Sequence, residues 1–237
     1  MKGFSVAPAM KRGLMPNLCN NQIAIIDYGM GNLFNVQRAC SSVGLRGVIT
    51  ADKNFIQNSD GLILPGVGAF GDAMDSLKRL DLVGAIKDQI NLKKPFLGIC
   101  LGMQLLFSES EEFGLHKGLD IIKGRVVRFE NKNEENKVIK VPQVGWNQIF
   151  FKKNEDFLEG ITNGEYMYFV HSYYTLTEDP GVISTTTRYE HTKYCSSILK
   201  GSILAMQFHP EKSGIAGLRI YKNWAQGVNR HKELISQ

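Results

Sequence analysis

Two short stretches of this chain hold the residues best suited to chemistry. The first is Gly98-Ile99-Cys100-Leu101-Gly102, set between the apolar run Phe96–Ile99 and the segment Met103-Gln104-Leu105-Leu106-Phe107. A strand-like run, a cysteine between glycines and a helix start form the pattern of a nucleophile elbow, with sulfur in place of a hydroxyl. The helix N-terminus beneath such a cysteine favours its thiolate. A buried cysteine between two packing glycines would give the same pentapeptide, so the reading needs a partner residue elsewhere. Gln207-Phe208-His209-Pro210-Glu211 supplies one, directly after the buried run Ile203–Phe208. In an extended segment residues i and i+2 point to the same side, so the spacing predicts His209 and Glu211 side by side, with Pro210 stiffening the link. A thiol nucleophile needs such a pair: a base beside the sulfur, and a carboxylate that fixes the imidazole tautomer and stabilises imidazolium.

The elements that must position these residues follow from the patterning. Ile23–Asp27, Gly47–Thr50, Gly61–Pro65 and Phe96–Ile99 read as short apolar strands. Helical spacing over about 33–43, after Pro65–Gly71, and over about 82–91 separates them. Strands alternating with helices imply a parallel sheet covered on both faces, with strand C-termini gathered on one edge where ligands bind. Beyond residue 110 the pattern becomes β-rich. Arg125–Phe129, Asn147–Phe150, the aromatic run Tyr166–Tyr174, Val182–Thr187 and Cys195–Leu199 predict added antiparallel strands, with a charged loop at Glu130–Lys140. A last helix is expected over about 214–228, with Ile215, Leu218, Tyr221, Ala225 and Val228 on one stripe. The expected fold is α/β, with a mostly parallel central sheet flanked by helices, forming one domain over residues 22–232. Residues 1–21 read as a flexible extension with no part in the fold. Trp146 and Trp224 read as core, although the Gly145–Asn147 turn could line the site or a partner face. His171 reads as a packed or interface residue.

Composition narrows the function classes. Of the net charge of +5, three units come from Lys2, Lys11 and Arg12, before the first acidic residue at Asp27. The basic balance is thus an N-terminal effect and not a nucleic-acid footprint. The four cysteines are far apart with no CxxC pair, which fits reduced thiols in the cytosol and excludes a disulfide framework or zinc knuckle. The five histidines lack metal-ligand spacing, and no run approaches transmembrane length. No metal, cofactor, nucleic acid or membrane is expected. Gly66-x-Gly68-x-x-Gly71 fits a dinucleotide fingerprint, but Pro65 intervenes and no acidic strand end follows at the right distance.

Leu97–Gln104 and Gln207–Ser213 together resemble the two signature blocks of the class I, triad-type glutamine amidotransferases. Ile26–Leu33, Leu64–Phe70, Val141–Asn147 and Tyr168–Tyr173 further resemble the glutaminase subunits of imidazole glycerol phosphate synthases, and the likeness spans about residues 22–230. It implies the flavodoxin-like amidotransferase fold and a Cys100–His209–Glu211 triad hydrolysing L-glutamine. The oxyanion would be held by the amide of Leu101 and by the Gly66-Val67-Gly68 loop. Gly66, Gly68, Gln104, Ser172 and Tyr173 match positions that hold glutamine; read alone, Gln104 is a solvated helix residue and Ser172 and Tyr173 are sheet surface. The resemblance also implies a heterodimer with a (β/α)8-barrel cyclase that receives the ammonia in histidine biosynthesis. The same triad would serve a paralogue feeding a sugar amidotransferase in polysaccharide synthesis. A non-catalytic regulatory relative would be expected to lack a triad member.

Overall fold

The computed structural model describes residues 21–132, 136 and 138–235. The first half runs β1 (Gln22–Ile26), α1 (Leu33–Ser42), β2 (Arg46–Thr50), α2 (Lys53–Asn58), β3 (Gly61–Gly66), α3 (Phe70–Arg79), α4 (Leu82–Asn91), β4 (Phe96–Cys100) and α5 (Leu101–Gln104). The second half is mostly strand: β5 (Phe107–Ser110), β6 (His116–Lys117), β7 (Ile122–Arg128), β8 (Gln143–Gln148), β9 (Phe150–Phe151), β10 (Tyr166–His171), β11 (Tyr173–Thr177), β12 (Ile183–Tyr189), β13 (Thr192–Lys200) and β14 (Ile203–Met206). The 22-residue helix α6 (Gly214–Ile235) closes the chain.

The main sheet has the order β2-β1-β3-β4-β14-β13-β11-β7-β5-β6. Its first five strands are parallel, so the C-terminal ends of β3, β4 and β14 lie together. From β13 onward antiparallel pairs extend the sheet, with β5 and β7 again parallel. β8 and β10 form a separate antiparallel ribbon. Alternation along the central strands feeds two cores. Ala24, Ile26, Leu62, Leu64, Phe96 and Ala205 face the layer that contains α3 and α4. Ile23, Ile25, Ile63, Leu97, Leu204 and Met206 face that of α1 and α6. The period of two is what lets one strand serve both layers.

Local chemistry explains several boundaries. Asn32 caps α1 by accepting from the Asn35 N–H, and Asp52 caps α2 from the Asn54 N–H. Gly44, at φ +83°, turns the chain out of α1. Four expectations need correction. The helix expected from Met103 through Phe107 is a single turn that ends at Gln104, and Phe107 instead opens β5. The aromatic run is two strands parted at Ser172. Trp146 is 56% exposed rather than core, because it stands on the outer face of the β8–β10 ribbon, while Trp224 is buried. Asn21 is fully buried, with its carbonyl accepting from the Arg46 N–H at 3.0 Å, so it belongs to the sheet edge. The rest of the expected N-terminal extension lies outside the described residues.

Candidate active site

Cys100 ends β4 and carries the strained geometry itself, with φ +54° and ψ −109°. A non-glycine residue in this region costs free energy that the surroundings must offset. The glycines beside it serve a different need from turning the chain. A Cβ on Gly102 would stand 1.7 Å from the Leu64 carbonyl oxygen, and one on Gly98 would stand 2.9 Å from Ala205 Cβ. They let α5 press between β3 and β14, which drives the cysteine side chain out of the sheet edge. The first-turn N–H groups of α5, including that of Leu101, have no acceptor within their own helix.

His209 follows β14 and is held by its backbone. Its N–H donates to the Tyr168 carbonyl at 2.9 Å, and its carbonyl accepts from the Ser213 hydroxyl at 2.7 Å. That hydroxyl also accepts from the Tyr168 N–H, so two bonds bind the turn to β10 and a third closes the turn on itself. Glu211 reaches the imidazole by a different path from the extended i, i+2 arrangement: Pro210–Lys212 is one 3₁₀ turn. Glu211 Oε1 lies 2.8 Å from His209 Nδ1, with both side chains buried. This bond places the second nitrogen, Nε2, toward the sulfur. Burial pulls the imidazole pKa down. The charge and closeness of the neighbouring Cys100 sulfur, with the hydrogen bond to Glu211 and its charge, outweigh it and raise the value to about 10. The proton therefore rests on His209 whenever Cys100 is thiolate.

A cavity of about 290 Å³ opens over this sulfur, lined by Val67, Gly68, Cys100, Leu101, Gln104, Glu112, Pro142, Val170, His171, Ser172 and Tyr173. Its size suits an amino acid better than a nucleotide. Gly68 has φ +100°, and a Cβ there would meet Met30 Cε at 2.6 Å. Gly66 does not line the cavity. It pairs with Cys100 across the sheet, where a Cβ would collide with the Tyr28 hydroxyl and Leu101. Both N–H groups of the Gln104 amide are engaged, to the Tyr173 carbonyl and to Gln207 Oε1, each at 3.0 Å. Its carbonyl oxygen is what remains to offer a ligand. Larger clefts lie elsewhere. One of about 810 Å³ beside β5, β7 and β11 has Lys117 and Lys123 already paired with Glu109 and Asp120, and its lining includes no cysteine or histidine.

Two wall residues carry signals that spacing alone did not give. Glu112 accepts from the Phe70 N–H at 2.7 Å, capping α3, and burial raises its carboxyl pKa. It closes the acidic run Glu109-Ser110-Glu111-Glu112 at the end of β5, which spacing did not single out. His171 is buried, with Nδ1 2.8 Å from the Tyr173 carbonyl and Nε2 3.2 Å from the Tyr194 hydroxyl. Burial lowers its pKa to about 4, against the carbonyl bond, which raises it; the charge of His209 lowers it further. A histidine so held is neutral and structural at ordinary pH. Among the described residues no group of three or more His, Cys, Asp or Glu is placed to hold a metal ion.

Comparison with known proteins agrees with this geometry. The family described as glutamine amidotransferase class-I matches residues 24–225. The chain belongs to the class-I glutamine amidotransferases. Among curated members, an imidazole glycerol phosphate synthase subunit HisH from Syntrophotalea carbinolica is 50% identical over 203 residues, covering 85% of this chain and 98% of that one. The HisH subunit from Pyrococcus furiosus is 47% identical, covering 86% and 98%. Solved structures of similar fold include PurLQS from Thermotoga maritima, at TM-score 0.65 and 17% identity, covering 90% of this chain and 99% of that one. The glutaminase domain of CTPS from Trypanosoma brucei aligns at TM-score 0.65 and 17% identity, covering 89% and 94%. At such identities these structures speak for the amidotransferase fold alone.

Proposed function

We propose that this class-I amidotransferase is the glutaminase subunit of an imidazole glycerol phosphate synthase, and that Cys100, His209 and Glu211 are its catalytic triad. The observation that carries the reading is the buried His209–Glu211 pair set against an elbow cysteine at the floor of an amino-acid-sized cavity. Cys100 thiolate attacks the side-chain carbonyl carbon of L-glutamine. The tetrahedral oxyanion accepts from the Leu101 N–H and from an N–H of the Val67–Gly68 loop. His209 gives its Nε2 proton to the departing nitrogen, and ammonia leaves. Water then attacks the γ-glutamyl thioester while His209 takes its proton; the C–S bond breaks, returning its electron pair to sulfur and releasing glutamate. Glu112 and the Gln104 carbonyl offer acceptors for the substrate ammonium, and Ser172 and Tyr173 form the facing wall.

The ammonia is used in another chain, a (β/α)8-barrel cyclase bound as a heterodimer in the cytoplasm, where histidine biosynthesis consumes it. An exposed apolar face borders the cavity and suits that contact. Val144, Trp146 and Tyr166 are each more than half exposed on the β8–β10 ribbon, and Trp146 packs edge-on against Tyr168. The same ribbon supplies Val170, whose carbonyl faces the Cys100 thiol. Docking on it therefore reaches the sulfur through a single strand. Gly68 also leaves the Val67–Gly68 loop free to reorient, and wasteful hydrolysis is avoided if that loop completes the oxyanion site only in the complex. Glutaminase turnover by the isolated chain should accordingly be at least tenfold below that of the copurified complex. Equal turnover would contradict this coupling.

A further inference from the structure

Gln207 lies outside every role assigned so far. It is wholly buried just beyond β14, with its backbone N–H bound to the Ser196 carbonyl at 2.9 Å. Its side chain lies between Gln104 and the nucleophile: Oε1 is 3.0 Å from Gln104 Nε2, and Nε2 is 3.6 Å from Cys100 Sγ. The orientation of this chain of amides is forced from its far end. The Tyr173 carbonyl can only accept, so the Gln104 end facing it is the nitrogen. That nitrogen can only donate, so the Gln207 end facing it is the oxygen. The remaining end of Gln207, an N–H donor, must then face the sulfur.

We propose that Gln207 is a catalytic residue whose carboxamide N–H donates to Cys100 Sγ and stabilises the thiolate. The assignment rests on the triad reading and deepens it. A hydrogen bond to an anionic acceptor is stronger than one to a neutral group, so the donor favours thiolate over thiol. It acts at both chemical steps. Before attack it populates the nucleophile beside His209; during deacylation it receives the negative charge that returns to sulfur as the C–S bond breaks. The Tyr173–Gln104 link holds the donor in place without a charged group. It also ties the sulfur's environment to the wall that faces the substrate.

The test uses the full chain, with alkylation of Cys100 by iodoacetamide followed by peptide mass spectrometry across pH. Gln207→Met keeps the volume and removes the donor; Gln207→Glu keeps the shape and replaces the donor with an acceptor. Each should alkylate about tenfold more slowly than the parent at pH 6.5, with rates converging at pH 9.5, above the ordinary range for thiols. In the complex, kcat should fall with KM little changed. Parent-like alkylation at pH 6.5, or an equal loss at every pH, would overturn the proposal. If neither variant folds, the ¹⁵N-labelled Gln207 side-chain amide of the parent protein should shift as Cys100 ionises, and a pH-independent signal would overturn it instead. Failure of the triad reading looks different: a glutamine-analogue chloroketone then leaves the parent's Cys100 unlabelled, and the assignment falls with it.

Discussion

Neutral His171 and protonated His209 lie near one another, and opposite environments set them apart. His209 faces a carboxylate and the Cys100 sulfur; His171 faces a carbonyl and a phenol in a buried wall. Since the folded-state pKa of His171 is lowered from 6.5 to about 4, the unfolded chain binds more protons between those values. The stability His171 contributes is complete above about pH 6.5 and is lost as pH falls toward 4. Its full extent is about 3–4 kcal/mol, at roughly 1.4 kcal/mol for each pH unit between the two values. Replacing His171 by Gln should flatten the fall in chemical-denaturation stability between pH 6.5 and 4; an unchanged acid limb would contradict the buried neutral assignment. At this scale the grouping of Cys100, His209 and Glu211, which the proposed triad needs, was legible because their residue types and positions at strand ends are chemically distinctive. Glu112 and Gln207 were not, since an acidic run and a lone glutamine acquire meaning only from what packs against them.

Elements carry the geometry that the residues need. The elbow depends on backbone approach, because Gly102 leaves no room for a Cβ against the Leu64 carbonyl. Gly102→Ala should therefore cost at least about 3 kcal/mol, lowering Tm by roughly 6–12 °C in a chain of this size. Gly84 offers the contrast: it lies within α4 with nothing near a built Cβ, and Gly84→Ala should stabilise by about 0.5–1 kcal/mol. Differential scanning calorimetry of the two variants checks both signs, and equal effects would contradict the packing account. The parallel half was readable from its strand–helix alternation. The single turn of α5 was not, because Leu105, Leu106 and Phe107 are apolar in either a helix or a strand. Only the β5–β7 pairing and the close packing around them decide that the chain leaves the helix there. The 3₁₀ turn at Pro210–Lys212 likewise brings Glu211 to His209 by a route that i, i+2 spacing did not describe, although the predicted pairing of the two residues is the one observed.

The whole molecule places one reactive edge between two different surroundings. Parallel strands β3, β4 and β14 bring the Gly66–Gly68 loop, Cys100 and His209 to one end of the sheet. The β8–β10 ribbon covers that end and turns an apolar outer face to solvent. Trp146 was expected in the core because a large aromatic in a strand-like run is more often buried; nothing local says that its ribbon forms a sheet apart from the main one. The expected class-I amidotransferase fold and family hold for the chain. In the proposed division of labour, glutamine is opened here and the ammonia is consumed in a partner. The measurement that tests this most directly is imidazole glycerol phosphate formation by the copurified complex carrying Cys100→Ala, driven in parallel by glutamine and by ammonium salt at alkaline pH. The glutamine-driven reaction should be lost by more than about 10³-fold while the ammonia-driven reaction stays near the parent rate. Glutamine-driven synthesis that survives the substitution would contradict the account.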